Sequence, residues 1–142
     1  MENCSEEDIM KCLIVDDDSF GREMLTCILS DYAEIIDTAE DGAEAVERFS
    51  RSLQDRRPYD LVCLDIQMPV LNGQEALKQM RRLEDESERA NSGTAVIVMT
   101  TAVNSVQEIK EAIWQGDCNN YLVKPIAQAD LVSLLNTYKL IG

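Results

Sequence analysis

Residues 60–65 read Asp60-Leu61-Val62-Cys63-Leu64-Asp65. From Tyr59 to Leu64 the run is nearly all apolar, and it stops at a carboxylate. A strand with no polar alternation is one covered on both faces, as in the middle of a parallel sheet flanked by helices. Met68-Pro69 and Gly73 follow, so Asp65 stands where the strand gives way to a loop.

The same grammar recurs on either side. Met10 to Val15, Ala33 to Thr38, Ala95 to Thr100 and Tyr121 to Val123 are further short β-prone runs. Helical spacing fills the intervals. Ser19 to Ser30 carries Phe20, Met24, Cys27 and Ile28 as its inward face, with Ser19 able to cap it. After the turn at Asp41-Gly42, Ala43 to Leu53 aligns Ala45, Val46 and Phe49. A long charged helix from Gly73 to about Arg89 turns Ala76, Leu77, Met80 and Leu83 inward. Val106 to Gln115 and Ala129 to Tyr138 complete five helices. Five strands alternating with five helices predict a single doubly wound α/β domain on a parallel sheet. Ligands of such sheets sit beyond the carboxyl ends of the strands, at the topological switch point.

Composition narrows the field. A chain of 142 residues suits one domain, here 10–142 behind an acidic tail at 1–9, with no output domain expected. That polar start is neither a secretory leader nor a transit peptide, and no apolar run reaches the roughly 18 residues of a membrane span. The expected location is cytoplasmic. A net charge of −14 repels nucleic acid. The five cysteines form no CxxC pair and read as reduced thiols, several of them buried. With no histidine, zinc-site and triad chemistries recede, and the chain has no histidine of its own to donate phosphate.

The strand ends carry the chemistry. The first strand runs into Asp16-Asp17-Asp18, the third into Asp65, the fourth into Thr100-Thr101-Ala102 and the fifth into Lys124-Pro125. Carboxylates gathered at one sheet edge repel one another unless a cation compensates, and Mg²⁺ is content with a few carboxylates plus water. Lys124 cannot ligate a metal, so its task is to pair with an anion. An aspartate at a buried strand end can attack phosphorus and form an acyl phosphate. A threonine hydroxyl can donate to a phosphoryl oxygen. Together these residues form a candidate phosphoacceptor site.

Four stretches resemble the receiver domains of response regulators in two-component signalling (the CheY-like type), from about Lys11 to Tyr138. They are Leu13 to Asp18, Asp60 to Gly73, Met99 to Ala102 and Tyr121 to Pro125. The resemblance implies a flavodoxin-like fold with strand order 2-1-3-4-5. It implies phosphorylation on Asp65, with Asp17 binding Mg²⁺ directly, Asp16 holding it through water, and Gln67 lending its backbone carbonyl. Lys124 would contact the phosphoryl group, and Pro125 would follow a cis peptide. Thr101, followed by Ala102, matches the family's phosphoryl-contacting switch threonine, and Thr100 stands as the alternative. Tyr121 matches the aromatic switch position. The segment from Gly116 to Tyr121 is one residue longer than the common form.

The implied partners are a histidine kinase or histidine phosphotransfer protein and a downstream protein target. The target, or a weak homodimer, would use the surface made by the helix at Val106–Gln115, the strand at Tyr121–Val123 and the helix at Ala129–Tyr138. Plainer readings stand beside these. Asp18 serves as a helix cap, the run from Arg81 to Arg89 is a solvated helix end, and Trp114 is partly buried. Two other functions compete. An aspartyl phosphatase would use Asp16-x-Asp18, but has Phe20 where threonine or valine belongs. An unphosphorylated interaction module on the same fold would ordinarily lack one of Asp16, Asp17, Asp65 or Lys124.

Overall fold

Strand residues project alternately to opposite sides, so a strand apolar at every position must be covered twice. That is the architecture in the computed structural model, which describes residues 10–68, 70–87, 94–102, 107, 110 and 117–141. The elements are β1 (Lys11–Val15), α1 (Ser19–Leu29), β2 (Ile35–Ala39), α2 (Gly42–Gln54), β3 (Leu61–Asp65), α3 (Gly73–Asp85), β4 (Val96–Thr101), β5 (Asn120–Val123) and α4 (Gln128–Thr137). The strands form one sheet in the order β2-β1-β3-β4-β5, and every neighbouring pair is parallel. The chain leaves β1 for the edge strand β2, then crosses back to β3, so the switch point lies between β1 and β3.

Two cores result. Leu13 and Val15 of β1, Val62 and Leu64 of β3, and Ile97 and Met99 of β4 meet Ala45 and Phe49 of α2 and Ala76, Leu77 and Met80 of α3. The alternate residues Cys12, Ile14, Leu61, Cys63, Val98 and Leu122 meet Leu25 and Leu29 of α1 and Leu131 and Leu135 of α4. Each fully buried Leu, Ile or Phe contributes about 1.5–3 kcal/mol. Cys12, Cys63 and Cys118 are free thiols inside this packing, and Cys27 is free and exposed.

Helix starts follow their caps. Asp41 Oδ1 accepts from the Glu44 backbone N–H at 2.8 Å, and Asn72 Oδ1 from that of Glu75 at 2.9 Å. At α1 the cap is Asp18, not Ser19: its Oδ1 accepts from the Phe20 N–H at 3.2 Å. The inward face of α1 also differs from expectation. Leu25 and Leu29 are buried, while Phe20 and Met24 are exposed, Phe20 at 66%. Helix α3 ends at Asp85, short of Arg89, with Glu86 as its C-cap.

The charged run in α3 is only partly solvated. Glu84 is 0% exposed and pairs through Oε1 with Arg81 Nη1 at 2.8 Å. Its Oε2 accepts from the Ala95 N–H at 2.7 Å. The Arg81 guanidinium also donates to the carbonyls of Asp117 (2.7 Å) and Ala95 (2.9 Å) and to Asn119 Oδ1 (2.9 Å). Asn119 Oδ1 in turn accepts from the Ile97 N–H at 2.8 Å. This lock ties α3 to the entrances of β4 and β5, opposite the strand ends that carry the acidic residues. Of the expected helix at Val106–Gln115 only Gln107 and Lys110 are described, both helical; its other residues, Trp114 among them, and the acidic tail at 1–9 lie outside the described residues.

Candidate phosphoacceptor site

Asp16 directly follows β1 and Asp65 closes β3, so the adjacent strands on either side of the switch point deliver two carboxylates to one edge. Both continue the alternation that faces α1 and α4, two residues beyond Ile14 and Cys63. Asp17, exposed, completes the group: one oxygen from each of Asp16, Asp17 and Asp65 lies within 4.8 Å of the others. Three hard oxygen donors at that spacing, two of them buried, suit a small divalent cation. Gln67 follows in the exposed loop, and its backbone N–H donates to Asp65 Oδ1 at 3.2 Å.

Lys124 reaches in from the end of β5. Its Nζ donates to Asp16 Oδ2 at 2.9 Å and lies 3.4 Å from Asp65 Oδ2. The Lys124–Pro125 peptide is cis. Asp16 is held on its other side by the Asp18 N–H, which donates to Oδ1 at 2.9 Å. Helix α1 presses close behind it: a Cβ on Gly21 would stand 2.6 Å from Asp16 Oδ2, so only glycine lets the helix sit there. Gly73 does the same at the start of α3, where a Cβ would meet the Asp65 carbonyl oxygen and Ile66 Cα.

The electrostatics are strained without a cation. Burial pushes the Asp65 carboxyl up from 3.8 to about 6; Lys124 pulls it down, Asp16 pushes it up, and the Gln67 N–H opposes the rise. Lys124 stands above its ordinary value. Burial alone would lower it, but the hydrogen bond to Asp16 and the charge of Asp65 outweigh that. Asp65 therefore holds its proton in the native state to a higher pH than in the unfolded chain. Between about pH 4 and 6 the native state binds more protons, and raising the pH favours unfolding. In chelating buffer the urea midpoint of wild type should fall across this window relative to Asp65→Asn. Parallel profiles for the two proteins would refute this.

The two threonines part ways. Thr100 pairs in register with Asp65 and shares its sheet face. Thr101 lies on the opposite face with Met99, where the half-buried Tyr121 also packs, and its Oγ1 donates to the Ala102 carbonyl at 3.0 Å. Asp18 is exposed and its Oδ1 caps α1. Sequence reasoning missed the groove beside the site. About 320 Å³ in volume, it runs between α1 and Lys124-Pro125-Ile126 and is walled by Phe20, Met24 and Ile28. Its signal was an apolar excess in α1, more than one buried face can use.

A family model for the response regulator receiver domain matches residues 12–136. The chain belongs to that family. As a receiver domain it is 32% identical over 124 residues to Chemotaxis protein CheY of Halobacterium salinarum, a match covering 87% of this chain and 92% of that protein. It is 28% identical over 127 residues to Hybrid signal transduction histidine kinase I of Dictyostelium discoideum, covering 89% of this chain but only 7% of the kinase's length. Among solved structures, it is similar to a chain in the co-crystal structure of the Saccharomyces cerevisiae histidine phosphotransfer protein Ypd1 with the receiver domain of Ssk1. The TM-score is 0.74 at 29% identity, covering 92% of this chain and 88% of that one. Receiver domains belong to two-component signalling, and no helix among the described residues of this one is long and apolar enough to cross a membrane.

Proposed function

We propose that this receiver domain accepts a phosphoryl group on Asp65, with Mg²⁺, from a phosphohistidine of a histidine kinase or histidine phosphotransfer protein. The observation that carries the reading is Lys124 poised between Asp16 and Asp65 at the mouth of a three-carboxylate cluster. An Asp65 oxygen attacks phosphorus; the P–O bond forms as the P–N bond breaks, and the electron pair leaves on the imidazole nitrogen. Mg²⁺ held by Asp16, Asp17, Asp65 and the Gln67 carbonyl would neutralise charge on the transferring group. Lys124 exchanges its hold on the carboxylates for a phosphoryl oxygen. The domain turns over no other substrate; it catalyses only its own phosphorylation and dephosphorylation.

The output follows from the opposite sheet face. The Thr101 hydroxyl turns from the Ala102 carbonyl to the phosphoryl group, and Tyr121 moves into the space released. The surface of β5 and α4 then presents a different shape to its protein target; the rest of the surface expected for that contact, at 106–115, lies largely outside the described residues.

The donor must cover the mouth of the site, and the groove beside it shares Asp16 and Lys124 with the acceptor. Phe20 at 66% exposure and Val70 at 83% are apolar surfaces to either side. The histidine-bearing protein seats on them. Phe20→Ala should slow transfer from a phosphorylated protein donor by about tenfold, the effect of losing an aromatic anchor worth roughly 1.4 kcal/mol or more. Charging by acetyl phosphate should be unchanged, since that donor is too small to touch the groove. Equal slowing with both donors would place Phe20 in the chemistry instead. The reading as a whole is tested by intact mass after incubation with acetyl phosphate. Gain of one phosphoryl group with Mg²⁺, lost in chelator and in Asp17→Ala, supports it; no gain under any condition favours the unphosphorylated interaction module.

A further inference from the structure

The turn after β1 supplies two of the three clustered carboxylates, and the two are anchored very differently. Asp16 is buried, and its oxygens accept from the Asp18 N–H and from Lys124. Asp17 is exposed, and its carboxylate takes part in no hydrogen bond or ion pair among the described residues. A side chain without a partner of its own is placed by its backbone. The peptide that leads from Asp16 into Asp17 therefore decides where that carboxylate stands.

Arg22 holds that peptide. The Asp16 N–H donates to the Ala39 carbonyl at 3.1 Å, continuing the β1–β2 ladder. The Asp16 carbonyl, already past the strand, accepts from Arg22 Nη1 at 2.7 Å. Arg22 reaches back from α1, which Gly21 allows to sit close against Asp16. An arginine next to three consecutive aspartates would ordinarily fork onto a carboxylate. This one pairs with no carboxylate among the described residues and donates to a neutral carbonyl instead.

We propose that Arg22 is a positioning residue of the cation site, fixing the Asp16–Asp17 peptide so that the Asp17 carboxylate meets Mg²⁺ at the required angle. Mg²⁺ demands near-ideal octahedral geometry, so an exposed ligand that swings with a loose peptide binds it poorly. The inference rests on the Mg²⁺ reading of the cluster and adds to it a residue that carries none of the ligand atoms. Charge and positioning make opposite demands here. As a mere positive charge, Arg22 repels a cation, and its removal would tighten binding. As a positioning residue, its removal weakens binding.

The test is titration with MgCl₂ at constant ionic strength for wild type, Arg22→Met and Arg22→Lys. Binding is read both as heat and as the rise in melting temperature, with melting in chelator reporting general stability separately. Arg22→Met should bind Mg²⁺ about tenfold more weakly than wild type, as for loss of a group that orients a metal ligand. Arg22→Lys should recover part of that affinity, since an ammonium can still donate to a carbonyl. If Arg22→Met does not fold, Arg22→Gln carries the same comparison of sign. Affinity equal to or above that of wild type in the neutral variant overturns the proposal and leaves the cation site as read. Earlier melting in chelator with unchanged affinity overturns it equally. If wild type itself takes up no Mg²⁺, the reading of the cluster as a cation site falls, and this inference falls with it.

Discussion

Asp65→Ala and Asp65→Asn should gain no mass from acetyl phosphate and Mg²⁺, while both still melt cooperatively. The loss should be complete because no neighbour can take over. Asp16, the other buried carboxylate, is pinned by the Asp18 N–H at 2.9 Å and by Lys124 at 2.9 Å, with the α1 backbone at Gly21 close behind it. Asp17 is exposed and lies two residues past the end of β1. Folding should survive, since the buried charge at Asp65 is a burden on the unliganded domain. Burial has already raised its carboxyl to about 6, and Asp16 adds repulsion. Asparagine keeps the shape without the charge, so its urea midpoint near neutral pH, in chelator, should exceed that of wild type. A phosphorylated Asp65→Asn protein would move the acceptor to another residue and undo the assignment.

The second large effect lies at the far end of the sheet. Arg81→Met should cost about 3–5 kcal/mol of stability, because it removes the hydrogen bonds to Glu84, Asn119 and the Asp117 and Ala95 carbonyls together. Glu84 is fully buried, and removal of Arg81 also leaves the Asp117 and Ala95 carbonyls without their donor. Arg81→Lys should recover little, because one ammonium cannot serve acceptors spread over three directions. The double variant Arg81→Met, Glu84→Gln should be clearly more stable than Arg81→Met alone, as the buried carboxylate charge is removed along with the guanidinium. Urea unfolding of the four proteins measures all of this. A cost under roughly 1 kcal/mol for Arg81→Met would show the pair to be a dispensable surface bridge.

Much of this was legible beforehand, and the failures have physical causes. Strands β1, β3 and β4 announced themselves by apolar runs that end in polar residues, and Asp16, Asp65 and Lys124 meet because parallel strands end on one side. Helix α1 misled because Phe20, Met24, Leu25, Cys27, Ile28 and Leu29 surround its axis. Two faces satisfy helical spacing, and only the close approach of Gly21 to Asp16 selects the one carrying Leu25 and Leu29. Ser19 and Asp18 are both good caps, and a one-residue choice lies below what composition resolves. The Arg81–Glu84 lock is invisible in sequence. Its partners lie 14 to 38 residues from Arg81, and within the helix it looks like any exposed i,i+3 pair. Thr100 and Thr101 separate only once the register of β4 assigns them to opposite faces.

The Arg81–Glu84 lock also bears on how such a domain can diversify. Its members are interdependent, so a change at Arg81, Glu84 or Asn119 is tolerated only with compensating changes at the others, and that end of the sheet drifts as a set or not at all. At the other end, Phe20, Met24 and Val70 are exposed. Selection can revise them singly. A rigid base beneath a freely editable rim lets copies of one domain acquire different interlocutors without each having to reinvent its foundations.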